Sequence, residues 1–564
     1  MKLFLFLAAA IAPLSKASPA KRAASPTVVI PSPQATIIGH ERLGVEVFPG
    51  VPFAKPPVGS LRLKPPQPIT EPMGTYEAKE NGLACPQFFF STELDDAIPT
   101  SAIGKLVNTP LFQKILNAGE DCLTINIHRP PGTTKDSNYP VLFWIYGGGF
   151  ELGWNALFDV GSWVTQSVRA GKPIVVVSVN YRVGGFGFLP GSEILADGSA
   201  NLGLLDQRLG LEWVADNIAA FGGDPNTVTI WGESAGAISV FDHMLMYDGD
   251  NTYKGKPLFH GGMMNSGSLV PADPVDTKKG QDIYNTVVEY AGCSNSSDTL
   301  NCLRDVEYDT LIDAMNAVPG ILSYSSIALS YLPRPDGKVL TKSPDELLMA
   351  GKFAKVPFIL GSQEDEGTLF ALFQSNMTTT DQLGEYLKSK FFNGASDEQI
   401  AELLSIYSEI DEYGAPHRTG LLNNWYPQFK RLAAILGDLT FTITRRSVLH
   451  IVNTIAPEIP TWSYLSSYDY GTPILGTFHG SDLLQVFFGI WPNYASKAFH
   501  EHYLSFIYSQ DPNTDIDPEM PAWPRWSEKR ELLNMYPFHS KLILDDFRTA
   551  ASDFIEKHVA SFRI

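Results

Sequence analysis

The chain has 564 residues, 44% hydrophobic and 18% charged, the composition of a globular protein. Its 42 Lys and Arg against 61 Asp and Glu leave a formal net charge of −19. Such a surface repels phosphate backbones, which argues against a nucleic-acid partner, and the surplus acidity reads as solubility.

In chain order, Met1-Lys2 precedes the apolar run LFLFLAAAIA, and Ser15-Lys16-Ala17 is a small-x-small exit. This pattern predicts a secretory signal peptide over 1–17, with Lys21-Arg22 as a dibasic site ending a short propeptide at 22. No later stretch is long and apolar enough to span a bilayer, and no lipid-anchor signal closes the chain. Residues 23–564 contain no repeat and no Pro/Gly/Ser linker, so one large domain with helical insertions is expected. Export suits the four cysteines, Cys85, Cys122, Cys293 and Cys302. Three pairings exist, and proximity favours 85–122 and 293–302, which close local loops. Asn295 and Asn376 head glycosylation sequons.

The first cysteine loop holds SAIGKLVNTPLFQKIL (101–116), with Phe88-Phe89-Phe90 at its base. Ile103, Leu106, Val107, Leu111 and Ile115 fall on one helical face, and Thr109-Pro110 breaks the stretch in two. Composition alone allows core helix here as readily as a flap.

Downstream, PVLFWIY (140–146), PIVVVSVNY (173–181), TVTIW (227–231) and GGMMNSG (261–267) read as strands buried on both faces. LLDQRLGLEWVADNIAAFGG (204–223) reads as a helix stopped by Gly222-Gly223, and AGAISVFDHMLM as another. Alternation of this kind predicts an α/β fold: a large, mostly parallel sheet with helices on both faces. The region about 290–460 is helix-rich.

The sharpest motif is WGESAGA (231–237), a G-x-S-x-G between an apolar strand and a helix. That context is a nucleophile elbow, with Ser234 on the turn and Gly232 and Gly236 allowing close strand-helix approach. YGGGF (146–150) follows another strand and bares backbone N–H groups which, with the Ala235 amide, suit an oxyanion. It lacks the G-x-G-x-x-G spacing of a dinucleotide loop. In this architecture an acid and then a histidine follow the serine. Glu364, Asp365 and Glu366 stand in a row after the strand VPFIL, and the residues themselves do not choose among them. Of the histidines downstream (417, 450, 479, 500, 502, 539 and 558), His479 in ILGTFHGSD is set in a glycine-bounded loop free to turn its ring.

YGGGF, NYRVGGFGFL (180–189), FGGDPNTVTIWGESAG (221–236), EDEGT (364–368) and GTFHGSD (476–482), with GVPFAKPPVGSLRLKPP (50–66) and EDCLTIN (120–126), resemble the type-B carboxylesterase family, the cholinesterase-like α/β-hydrolases, across almost the whole mature chain. The resemblance implies Ser234 as nucleophile, Glu366 as acid, His479 as base, and Gly148, Gly149 and Ala235 as oxyanion hole. It also implies the 85–122 and 293–302 disulfides and the ion pairs Arg62–Glu120 and Arg182–Asp206. SYSSIALSYLPRPDG (323–337) and KRLAAILGDLTFT (430–442) resemble acyl-side segments of the fungal lipase and sterol esterase branch. A cholinesterase is disfavoured, because the Cys85–Cys122 loop has no Trp for a cationic choline head.

That branch carries a disulfide-closed lid here, which implies the same for 86–121 and points to water-insoluble esters. The expected protein is a secreted monomer or weak homodimer that touches lipid surfaces transiently through its lid. It hydrolyses triacylglycerols or steryl esters through an acyl-enzyme and needs no metal or cofactor. Alternatives are an esterase for small soluble esters and, more remotely, an inactive binding relative.

Overall fold

The computed structural model describes residues 25–88, 117–488 and 494–564. The expected signal peptide and propeptide, and the lid residues Ile103, Leu106, Val107, Leu111 and Ile115, lie outside the described residues.

Among the described residues the main sheet has eleven strands. They are β1 His40–Arg42, β2 Val45–Pro52, β3 Thr124–Arg129, β4 Tyr139–Ile145, β5 Val175–Val179, β6 Gly223–Glu233, β7 Gly261–Asn265, β8 Phe358–Gln363, β9 Thr461–Ser466, β10 Glu531–Met535 and β11 Ser540–Leu544. Their spatial order is β1-β2-β3-β5-β4-β6-β7-β8-β9-β10-β11. Every neighbouring pair from β5 across to β10 is parallel. The pairs β1–β2, β2–β3, β3–β5 and β10–β11 are antiparallel. The two outermost pairs have connections too short for a crossover: Leu43-Gly44 joins β1 to β2, and residues 536–539 join β10 to β11.

Burial follows the composition of each run. The VVVSV of β5 is buried throughout, and YPVLFWI of β4 is buried after its first residue. Both faces of these strands are covered by helices, which is why no polar alternation is visible in them. The helix expected over 204–223 runs from Leu202 to Asn217 and tightens into a 3-10 turn, Ile218–Phe221. Gly222 then closes it in the left-handed conformation, at φ 83°. At the centre, the Trp144 and Trp231 rings of β4 and β6 meet edge to face at 4.5 Å, and Phe487 stacks on Trp231 at 5.0 Å.

Both disulfides form as proximity favoured, Cys85–Cys122 and Cys293–Cys302. Asn295 and Asn376 are exposed. Arg62 holds Glu120 through Nε and Nη2 at 2.6 and 2.7 Å, which ties the base of the first cysteine loop to the body. No helix of the described residues is long and apolar enough to cross a membrane.

Candidate active site

The parallel strands all end on one edge of the sheet, and the expected site residues stand there, as ligand sites of open α/β sheets do. β6 ends at Glu233 and the helix Ala235–Gly249 begins two residues later, so Ser234 alone makes the turn. Its backbone sits at φ 57°, ψ −125°, a region that a residue with a side chain occupies only under restraint. Two hydrogen bonds supply the restraint. The Ser234 N–H donates to the Asn265 carbonyl on β7, and the Ile238 N–H donates to the Ser234 carbonyl, both at 2.9 Å. Side chains would block this turn: a Cβ on Gly236 would run into the Ile145 carbonyl, and one on Gly232 into the backbone of Gly236.

β4 feeds the glycine loop. Gly148 and Gly149 have φ of 117° and 62°, values that glycine alone adopts freely, and a Cβ on Gly148 would strike the Leu152 carbonyl. The loop is braced from behind. Arg182 Nε and Nη2 donate to Asp206 at 2.8 and 2.7 Å in a buried pair, and two residues on the Gly184 N–H donates to the Phe150 carbonyl at 2.6 Å.

The acidic row after β8 separates into three tasks. Glu364 Oε1 accepts Arg418 Nε at 2.6 Å, at the surface side. Asp365 is buried and accepts backbone N–H groups from His417 and Thr477 at 2.7 and 2.9 Å, which pins the histidine loop beside β8. Glu366 is left for the ring: its Oε2 lies 2.6 Å from His479 Nδ1, while its Oε1 accepts the Gln363 N–H at 2.7 Å. With the Nδ1–H donating to Glu366, Nε2 is the acceptor, and Ser234 Oγ lies 2.7 Å from it. The Phe370 and Phe441 rings flank the imidazole at 4.9 and 4.5 Å and shield it from water.

Charge around the ring favours the imidazolium. Burial works against it, but the Glu366 carboxylate, by charge and hydrogen bond, outweighs burial and holds His479 above its ordinary range. Two further acids adjoin it that sequence reasoning left without a role. Glu233 Oε1 is 3.5 Å from His479 Nε2, and burial pushes its carboxyl up to about 8. Asp482 is raised to about 6, also by burial, and accepts Asn265 Nδ2 at 2.8 Å. Their positions beside Ser234 and three residues after His479 were the available signal. The remaining histidines stand apart from this cluster: His450 is exposed on the helix Ile443–Ile455, and His417 bonds Arg548.

Two apolar cavities meet at Ser234. One is lined by Gly147, Gly148, Leu157, Phe158 and His479. The other is lined by Gly149, Ala235, Ile238, Ile327, Leu332 and Phe441. Residues of 323–337 and 430–442, the two segments singled out as acyl-side, thus face the second cavity.

The model of the carboxylesterase family matches residues 26–547. The chain belongs to the carboxylesterase family. Among its relatives is secreted lipase 1 of Botryotinia fuckeliana, 65% identical over 544 residues, covering 96% of this chain and 95% of that one. Another is the secreted triacylglycerol lipase LIP1 of Gibberella zeae, 53% identical over 547 residues, covering 96% and 92%. The crystal structure of Aspergillus niger EstA superposes with a TM-score of 0.80 at 26% identity, over 96% of this chain and 99% of that one. The carboxylesterase fold and family expected from the motifs therefore hold, and with them ester hydrolysis as the chemistry.

Proposed function

We propose that this carboxylesterase is an exported serine lipase, acting on long-chain acyl esters, triacylglycerols or steryl esters, through Ser234, His479 and Glu366. The observation that carries the reading is the unbroken chain of contacts Glu366–His479–Ser234 opening onto two apolar cavities. His479 Nε2 takes the Oγ proton as Ser234 attacks the ester carbonyl, and Glu366 steadies the imidazolium. The Gly148, Gly149 and Ala235 amides receive the oxyanion. Nε2–H then protonates the departing alcohol, and water deprotonated by the same nitrogen releases the acid and restores Ser234.

This proton path assigns the cavities. The alcohol must leave past His479, so it occupies the cavity that His479 lines, and the acyl chain occupies the one beside Gly149 and Ala235. A fluorophosphonate should label the wild type and spare Ser234→Ala. Kinetics on p-nitrophenyl esters of rising chain length, with emulsified triolein and a cholesteryl ester, test the substrate class. A maximum at the shortest acyl groups with no triolein turnover would place the enzyme among esterases for small soluble esters.

Gly148→Ala should lower kcat on a soluble ester by about 100-fold or more, roughly 3 kcal/mol for a displaced amide, with little change in KM. An unchanged kcat would remove Gly148 from the hole.

The segment closed by Cys85–Cys122 serves as a lid in this reading. Its described base supports that role: the Phe88 N–H donates to the Glu151 carbonyl at 2.8 Å and Gln87 Nε2 to the Gly153 carbonyl at 2.6 Å, beside the glycine loop. Replacing Leu106 and Leu111 by Ser should depress triolein hydrolysis far more than hydrolysis of a soluble short ester. Equal losses would return the stretch to ordinary core. The leader-like first 17 residues and the names of the secreted relatives support export.

A further inference from the structure

The helix that begins at Ala235 is buried at every residue as far as Met246, and two of those residues, Asp242 and His243, are ionisable. His243 has a partner, its Nε2 lying 3.0 Å from Gln207 Oε1. Asp242 does not: it is 2% exposed, and its Oδ2 has no hydrogen-bond partner among the described residues. A buried polar group left this way weakens the fold unless something outside the chain completes it. Asp242 is one of the residues around the second cavity, with Ile238 and Pro344, and its unpartnered Oδ2 is itself buried there. Burial raises its carboxyl well above the usual range, with no neighbouring charge opposing it. A carboxyl held in its protonated form can donate through O–H and accept through C=O.

Its place relative to the reacting serine is set by the helix. Ile238 and Asp242 are spaced i, i+4 on the helix that Ser234 leads into, and all three residues line the cavity. Eight residues at 1.5 Å each put Asp242 about 12 Å along the axis from Ser234. A long acyl chain attached at Ser234 and lying along that helix reaches Asp242 part-way down its length, in a lining whose other polar side chains are those of Ser234 and Thr440.

We propose that Asp242 is a specificity-determining residue that recognises an oxygen substituent in the middle of a fatty acyl chain, so that esters of mid-chain-hydroxylated fatty acids are favoured acyl donors. The Asp242 O–H donates to the substituent oxygen, and its carbonyl accepts the substituent hydroxyl. The proposal rests on the serine lipase reading and on the acyl assignment of this cavity.

The test compares kcat/KM of the purified full chain on p-nitrophenyl ricinoleate and p-nitrophenyl oleate, which share length and unsaturation but differ in a mid-chain hydroxyl. A series of hydroxystearoyl esters in which the hydroxyl walks along the chain accompanies them. Wild type should favour ricinoleate, with a maximum in the series at a mid-chain position. In Asp242→Leu the ricinoleate-to-oleate ratio should fall about tenfold, the worth of one buried hydrogen bond, while Asp242→Asn should keep most of the preference. A merely structural role would lower both substrates together and leave the ratio alone. An unchanged ratio in Asp242→Leu, or a flat wild-type series, overturns the proposal. The series needs no variant, so it decides the matter even if Asp242→Leu does not fold. Failure of the lipase reading is distinct: wild type would then not hydrolyse the oleate at all.

Discussion

Ser234→Ala should fold normally and lose about a millionfold in kcat on any ester the wild type hydrolyses. The expected size follows from the division of labour at the turn. On the proposed mechanism Oγ supplies the bond to the acyl group, and His479 loses the proton it would take when Oγ is gone. What survives is the weak acceleration from the oxyanion donors and binding alone. The fold should be spared, because the turn is held by backbone hydrogen bonds to Asn265 and from Ile238, neither of which uses Oγ. The measurement is steady-state turnover on a soluble ester alongside thermal unfolding. Turnover near wild type with an unchanged Tm would sink the assignment of Ser234.

Glu366→Gln should cost about ten-thousandfold in kcat, since an amide at Nδ1 neither fixes the tautomer nor neutralises the imidazolium. It should also move the pH profile in a definite direction. On the proposed mechanism wild-type activity needs neutral His479, so kcat/KM should fall as pH drops through the raised pKa of the ring. Without the carboxylate, burial is no longer outweighed and the ring pKa drops. The acid limb of the residual activity should therefore shift to lower pH. Glu364→Gln is the contrast: that carboxylate is committed to Arg418, so the limb should stay where it is. If Glu364→Gln moved the limb and Glu366→Gln did not, the roles within the acidic row would have to be exchanged.

The same row shows where reading the sequence stops. Uninterrupted runs such as VVVSV and YPVLFWI announce strands covered on both faces, and G-x-S-x-G between strand and helix announces the elbow, because both signals are local. Glu364, Asp365 and Glu366 are chemically near-equivalent, and their separation depends on Arg418, on amides from residues 417 and 477, and on the ring of 479. None of those partners is near in sequence, so the family resemblance was needed to nominate Glu366. Asp242 was hidden for the opposite reason. In AGAISVFDHMLM a lone acid suggests the solvent side of an amphipathic helix, whereas this helix is buried on every side as far as Met246. The two outermost antiparallel pairs follow from connection lengths that only known strand boundaries reveal.

The triad also carries a consequence for how the molecule comes into being. Ser234 and His479 are 245 positions apart, and His479 and Glu366 113. Each contact joins loops beyond different parallel strands, so it brings no reward until β6, β7, β8 and β9 have been laid side by side. Contacts of such long range form late, because the entropy of closing the intervening chain must be met first. Catalytic competence is thus a marker of the last stage of folding: in a refolding experiment, helix and sheet signals should recover well before the ability to cleave an ester.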